Sequence, residues 1–259
     1  MKKYKLFKLK NDRLCSPFQN HDYGKETDIL GKPLTCNFDD SERECSDGFY
    51  ATDIDGLIYT NLAGKICYEV EVSGKHKIFN TYKQRYQNMT IIRSVPTAEL
   101  KRLVKKQSDA MDWDYYHALF PVNPLRGKPK SVTEKEIELL KKWASVETSV
   151  ETSVGASVWA SVGDSVGDSV WDSVWDSVGA SVGASVGDSV WDSVGASIWA
   201  YISSIFPNIK KWKYIDHKEG INPFQPCIDL WNAGFVPSYD GKTWRLHSGK
   251  HAEIVYKLN

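Results

Sequence analysis

An uninterrupted tetrapeptide repeat constrains the fold of this chain more than any other feature. From Ser145 to Ala200 the sequence reads Ser-Val-x-y fourteen times, and only the last copy, Ser197-Ile198, replaces the Val. The third position is Gly, Trp or Glu, and the fourth is Ala, Asp or Thr. A unit this short has no core of its own. The units must therefore bury their valines against one another.

Two geometries can bury these valines. In one long α-helix, a Val at every fourth position drifts by about 40° per unit, so its stripe winds around the rod and no straight partner covers it. The Gly, Ser, Val and Asp content also costs a helix on the order of 20 kcal/mol relative to Ala. In a solenoid the valines stack from coil to coil, with Ser, Gly and Asp at the corners. The sequence favours a tetrapeptide-repeat solenoid, and a helical repeat is the alternative.

The third and fourth positions of the tetrapeptide vary between residues that single-base codon changes connect. Such variation is typical of recent duplication followed by drift. It predicts that both positions face solvent and tolerate many residues.

The repeat is acidic, whereas the rest of the chain is basic. The repeat contains eight Asp and Glu residues and no Lys or Arg, which leaves 33 basic and 25 acidic groups elsewhere, a formal +8. We therefore expect no direct contact between the repeat and nucleic acid. The chain shows no apolar signal segment and no run of about eighteen apolar residues, which predicts a cytoplasmic protein without a membrane segment.

Residues 1–95 predict a small mixed-sheet domain. Ile66–Val72 alternates between the two faces of a strand, and three further strands are expected at Tyr4–Leu9, Lys75–Phe79 and Met89–Val95.

Four segments of this domain, in chain order, resemble an uncharacterised domain common in phage and prophage proteins: Tyr4–Phe7, Cys15–Gln19, Gly48–Ala51 and Ile66–Val70. Gly48–Thr52 followed by Tyr59 also resembles the central motif of the ADP-ribosyltransferase fold. In that fold such aromatic residues stack on nicotinamide, so the resemblance implies NAD as cofactor. The implied binding residues are Phe49, Tyr50, Thr52 and Tyr59. No catalytic residue is predicted, and a role of these aromatics in the core of the sheet is the alternative.

Residues 96–144 predict a helical connector, residues 145–200 the repeat, and residues 201–259 an α+β hairpin module. In the connector, Thr133 and Glu136 form a capping box at the start of a helix that runs into the repeat. In the module, a short helix over Phe224–Trp231 ends at Gly234, and a hairpin follows. His247, on this hairpin, is expected at the surface.

The C-terminal module contains three segments that resemble the tail of other Ser-Val tetrapeptide-repeat proteins of bacteria and phages: Asn222–Pro226, Asp229–Trp231 and Val236–Gly241. That resemblance implies no known activity. The sequence contains no phosphate-binding Gly loop, HExxH motif or Gly-x-Ser-x-Gly motif, and no metal site is predicted.

The sequence as a whole predicts an α+β protein with a structural or protein-binding function and a phage or prophage association. Its repeat would act as a spacer or as a surface for a protein partner or for self-association. Two other functions stay open, an ADP-ribosyltransferase-like or NAD-binding protein and an acidic inhibitor that mimics DNA. Whether the protein is an enzyme is left open, although a binding function is favoured.

Overall fold

The computed structural model describes residues 1–17, 21–43, 46–60, 65–79, 83–151, 153–162, 174–175, 178–179 and 188–258, with backbone alone at 58–60 and 188–193. The chain divides into two compact units, Met1–Ala110 and Met111–Asn259. We refer to them as unit 1 and unit 2.

Unit 1 consists mainly of β-structure. Its strands are β1 (Lys2–Lys10), β2 (Arg13–Cys15), β3 (Asp22–Lys25), β4 (Pro33–Thr35), β5 (Phe49–Ala51), β6 (Ile66–Ile78) and β7 (Gln84–Ser94). Its helices are α1 (Glu26–Ile29), a 3-10 helix (Ile54–Thr60) and α2 (Thr97–Ser108).

The seven described strands form one sheet in the order β3-β2-β1-β6-β7-β4, and β5 also pairs with β7. Every pairing between these strands is antiparallel, and the sheet curls into a half-barrel. The two strands predicted at Ile66–Val72 and Lys75–Phe79 are one strand, β6. Its register shifts between Ser73 and His76, where Gly74 has φ +80°, and this bulge lets the strand continue.

The concave side of the sheet is filled by alternate residues of its long strands. Phe7, Tyr68, Val70, Met89 and Ile91 belong to this buried cluster. The 3-10 helix contacts both β1 and α2. The predicted mixed α+β character of this region therefore agrees with the structure.

Unit 2 combines helices with a three-stranded antiparallel sheet. The helices are α3 (Tyr115–Leu119), α4 (Glu134–Ser149), α5 (Val154–Val162), α6 (Asp188–Ser203) and α7 (Gln225–Ala233). The strands are β8 (Val236–Tyr239), β9 (Trp244–Ser248) and β10 (Glu253–Leu258), in the order β10-β9-β8. Helix α4 begins at the predicted capping box of Thr133 and Glu136, and α7 ends at Gly234, whose φ is +94°.

Most described residues of the repeat are helical, so the predicted solenoid is wrong. The repeat begins in the last turns of α4, continues as α5 and ends in α6. No described repeat residue belongs to a β-strand. The alternative of a helical repeat agrees with these segments.

Short helices remove the objection that a four-residue period raises against a helix. Helix α4 ends at Ser149, Val150 is extended, and α5 starts afresh at Val154. The three valines of α5 (Val154, Val158 and Val162) then drift by only about 80°, which fits within one apolar helix face. All three are at most 2% exposed. Tertiary packing thus outweighs the low helix propensity of the sequence.

The serines of the tetrapeptide anchor the repeat helices to the C-terminal part of unit 2. Ser157 Oγ donates a hydrogen bond to the Lys213 carbonyl, and Ser161 Oγ accepts one from the Lys213 amide at 2.8 Å. On α6, Ser197 Oγ donates to the Pro237 carbonyl of β8 at 2.7 Å. The first position of the tetrapeptide therefore satisfies backbone groups of neighbouring segments.

Candidate functional site

The four residues that the resemblance singled out lie on β5 and directly after it. Phe49 is 7% exposed and belongs to the core cluster of unit 1. The Tyr50 hydroxyl donates to the Ser46 carbonyl at 3.3 Å and accepts from the Ser46 amide at 3.2 Å. Thr52 pairs through its backbone with Tyr4 of β1, and its buried Oγ1 has no partner among the described residues. Tyr59 lies in the 3-10 helix, and its side chain is outside the described part of the chain.

A buried lysine that sequence reasoning missed lies beside these residues. Lys5 Nζ donates to the Tyr50 carbonyl at 2.7 Å and lies 5.5 Å from the ring centre of Phe7 and 5.3 Å from that of Tyr23. Burial lowers the Lys5 pKa from 10.5 to about 7. The sequence indicated this burial only weakly, because Lys5 lies in a strand with several lysines. Lys5 is two residues from Phe7, and this spacing alone places both side chains on the same, core-facing side of the strand.

Arg85 is another buried cation near β5, and it explains why a glycine precedes Phe49. Its guanidinium donates to the carbonyls of Ser41 and Arg43, and to the hydroxyls of Ser46 and Tyr50. The aliphatic part of Arg85 crosses Gly48, where a Cβ would lie 2.3 Å from Arg85 Cγ. These contacts engage both terminal nitrogens of the guanidinium and hold the loop against the sheet, which is a structural task.

A buried serine–histidine pair occurs in unit 2, contrary to the expected surface position of His247. His247 Nδ1 donates to the Ala252 carbonyl at 2.9 Å, so its Nε2 accepts from Ser238 Oγ at 2.8 Å. This arrangement resembles a nucleophile with its base. However, Ser238 and His247 are each 2% exposed, and burial lowers the His247 pKa. A substrate therefore does not reach the pair, which ties β8 to β9.

A cavity of about 300 Å³, partly open to solvent, lies where the repeat helices of unit 2 meet. Its walls come from the last turn of α4, the start of α5 and the second half of α6. The lining residues are Glu147, Ser153, Val154, Gly155, Gly195, Ala196 and Trp199. Glu147, Gly155, Gly195 and Trp199 all occupy the third position of their tetrapeptides. The variable third position thus contributes most of the cavity wall.

The indole of Trp199 forms a fixed wall of the cavity. A Cβ on Gly155 would lie 2.8 Å from Trp199 Nε1, so the ring fits only because Gly155 has no side chain. The Trp175 ring stacks on Trp199 with 4.4 Å between ring centres and 28° between planes. The prediction that the third position simply faces solvent is therefore wrong for Gly155, Trp175 and Trp199. Gly195 differs, because a Cβ there would meet nothing within 4 Å.

Among the described lining residues, Glu147 carries an ionisable side chain. Its side chain is partly buried, and burial raises the pKa of its carboxyl. No cation of the described residues pairs with this carboxylate. The nearby hydroxyl of Ser153 accepts a hydrogen bond from the Ala156 amide at 3.0 Å, as an N-cap of α5. The cavity therefore combines one uncompensated carboxylate with an indole wall.

Two other kinds of site are absent from the described part of the chain. It contains no group of three or more His, Cys, Asp or Glu residues placed to hold a metal ion. Within the same residues, no helix is long and apolar enough to cross a membrane. Comparison of the chain with protein-family models, curated proteins and solved structures finds no match.

Proposed function

We propose that the chain is a protein-binding module whose repeat supplies the surface for a protein partner or for a second copy. One observation carries this proposal: the two ends of the repeat lie side by side and frame the cavity. Glu147, Ser153 and Gly155 come from its beginning, whereas Gly195 and Trp199 come from its end. A partner that contacts this surface would touch both ends at once.

The same observation makes a spacer the weaker proposal. A spacer separates what it joins, and its length can change without loss of a site. Here α5 contacts α6, and both helices pack into the core of unit 2. This closed arrangement places both ends of the repeat on one binding surface, whereas a spacer would hold its two ends apart.

The composition of the surface suits a polypeptide better than nucleic acid. Trp159, another third-position residue of α5, is 41% exposed, and aromatic residues are enriched at protein interfaces. The repeat carries acidic residues and no basic ones, which disfavours contact with phosphate groups. An association with phages or prophages is part of the proposal only through the resemblance of the two flanking regions.

The alternatives drawn from the sequence stay predictions. For NAD binding, the burial of Phe49 in the core cluster leaves Tyr50 as the ring nearest to solvent on β5. For DNA mimicry, four of the six repeat aspartates lie outside the described residues, and the side chains of the other two are not described. No contact of the described residues favours NAD binding or DNA mimicry over a protein-binding module.

Site-specific photo-cross-linking tests the proposal. A benzophenone amino acid replaces Trp159 on the repeat or, as the matched control, Ile254, an exposed apolar residue of β10 in the same unit. The full chain is irradiated alone, over a range of concentrations, and in extract of its native host. We expect a discrete cross-linked polypeptide, either a second copy or a partner, from position 159 and none from position 254. Equal products from both positions, or none from either, would contradict the proposal.

A further inference from the structure

The cavity between α4, α5 and α6 has the properties of a receptor for a positively charged side chain. We propose that it binds the guanidinium or ammonium group of an arginine or lysine presented by a polypeptide partner. This inference rests on the proposed function, because it assigns a ligand chemistry to the surface described there. It can fail while that function stands, and the experiment below separates the two cases.

The first argument is charge. The Glu147 carboxylate lines the cavity, and no basic group of the described residues compensates it. A partly buried carboxylate without a partner has lost some of its hydration, and a cation from outside restores that stabilisation. The raised pKa of Glu147 agrees with this account, since its only cause is burial.

The second argument is the indole of Trp199, which lines the same cavity as the carboxylate. Trp199 is held in place by its stack on Trp175 and by its fit to Gly155, so the indole is a preformed surface. An apolar ring of this kind packs against the aliphatic stem of an arginine or lysine side chain while the charged head group reaches a carboxylate. A carboxylate and an apolar wall in one cavity therefore favour an organic cation over a neutral or anionic group.

The third argument is size. A cavity of about 300 Å³ lies at the lower limit of small-ligand sites, which suits one side chain better than a cofactor. Gly195 keeps this space open, because no atom lies where its Cβ would point. A side chain at position 195 would occupy the volume that the ligand needs.

The tetrapeptide provides a matched control for the charge. Glu147 and Glu151 occupy the same position in the first two units, but Glu147 lines the cavity, whereas Glu151 is exposed and does not line it. Glu147→Gln removes the charge and preserves the shape of the side chain. Glu151→Gln makes the same chemical change outside the cavity.

The test is calorimetric titration of the full chain with short peptides that carry either arginine or its neutral isostere citrulline, and with a lysine–norleucine pair. We expect the wild type to prefer the charged peptide by roughly tenfold at low salt. Glu147→Gln should abolish this preference, and Glu151→Gln should preserve it. Gly195→Leu should abolish binding of both peptides while circular dichroism stays unchanged, since a helical glycine with open space accepts a side chain.

The inference is overturned by equal binding of charged and neutral peptides, by binding of no peptide, or by an equal loss in both glutamine variants. Free acetyl-arginine amide is titrated in parallel. Should it bind as tightly as the peptide, the cavity is a site for small cations and the polypeptide assignment is wrong. A cross-link from position 159 without any charge preference would refute this inference alone. A charge preference without any cross-link would refute the proposed function alone.

Discussion

Lys5 shows how the fold changes the ionisation of a single residue. Its side chain is buried in the sheet, and its Nζ lies against the Tyr50 carbonyl and the rings of Phe7 and Tyr23. Burial disfavours the ammonium form, so the pKa of Lys5 is about 7 in the folded chain against 10.5 in the unfolded chain. Between these values the unfolded chain retains a proton that the folded chain has released. The free energy of unfolding therefore rises with pH across this window, by about 1.4 kcal/mol per pH unit.

Replacement of Lys5 by Met should remove this pH dependence. We expect the free energy of unfolding of the wild type to rise, relative to that of Lys5→Met, by roughly 2 to 3 kcal/mol from about pH 7 to about pH 9. Above the pKa of the unfolded chain, Lys5 is neutral in both the folded and the unfolded state, and below the pKa of the folded chain it is charged in both. The difference in unfolding free energy between the wild type and Lys5→Met is therefore constant outside this window. Urea unfolding at several pH values measures the effect. Lys8→Met, on the exposed face of β1, is the control and should leave the slope unchanged. Parallel curves for the wild type and Lys5→Met would contradict the assignment.

At the scale of elements, the third position of the tetrapeptide decides how α5 and α6 pack. Gly155 receives the Trp199 ring, whereas Gly195 faces open space. The two glycines occupy equivalent positions in their tetrapeptides and lie on helices that contact each other. They differ mainly in what a side chain would meet.

Alanine at these two glycines should therefore have opposite effects on stability. Gly195→Ala should raise the free energy of unfolding by about 1 kcal/mol through helix propensity. Gly155→Ala should lower it by about 1 to 2 kcal/mol, because the rigid, stacked indole must shift to admit the methyl group. Thermal and urea unfolding of the full chain compare the two variants. Stabilisation by both substitutions would show that Trp199 does not depend on Gly155.

Sequence reasoning succeeded where local chemistry determines the element. The capping box at Thr133, the end of α7 at Gly234 and the alternation of β6 all appear as expected. It failed for the repeat, because helix propensity and periodicity describe an isolated rod, whereas burial against the C-terminal segments decides the outcome. The cavity could not be predicted from the sequence for the same reason. Glu147 and Trp199 stand at opposite ends of the repeat, and only tertiary packing brings them to one site.

At the scale of the whole molecule, the chain consists of two units, each with a set of buried side chains that its own elements supply. In unit 1 the curled sheet buries Phe7, Tyr68 and Val70. In unit 2 the connector helix, the repeat helices and the C-terminal module bury Trp143, Ile198 and Trp231. The C-terminal module is thus part of the fold that makes the repeat helical.

Each unit should therefore fold when expressed alone, and the repeat should need its flanking segments to do so. We expect residues 111–259 to give a helical far-ultraviolet circular dichroism spectrum and one cooperative thermal transition. A shorter piece, residues 145–200, should lose most of its helicity, because helices of nine to sixteen residues with this composition are marginal without packing partners. Residues 1–110 should show a β-rich spectrum and their own transition. A strongly helical 145–200 would mean that the repeat carries its own stability, and a β-type spectrum for 111–259 would contradict the helical repeat itself.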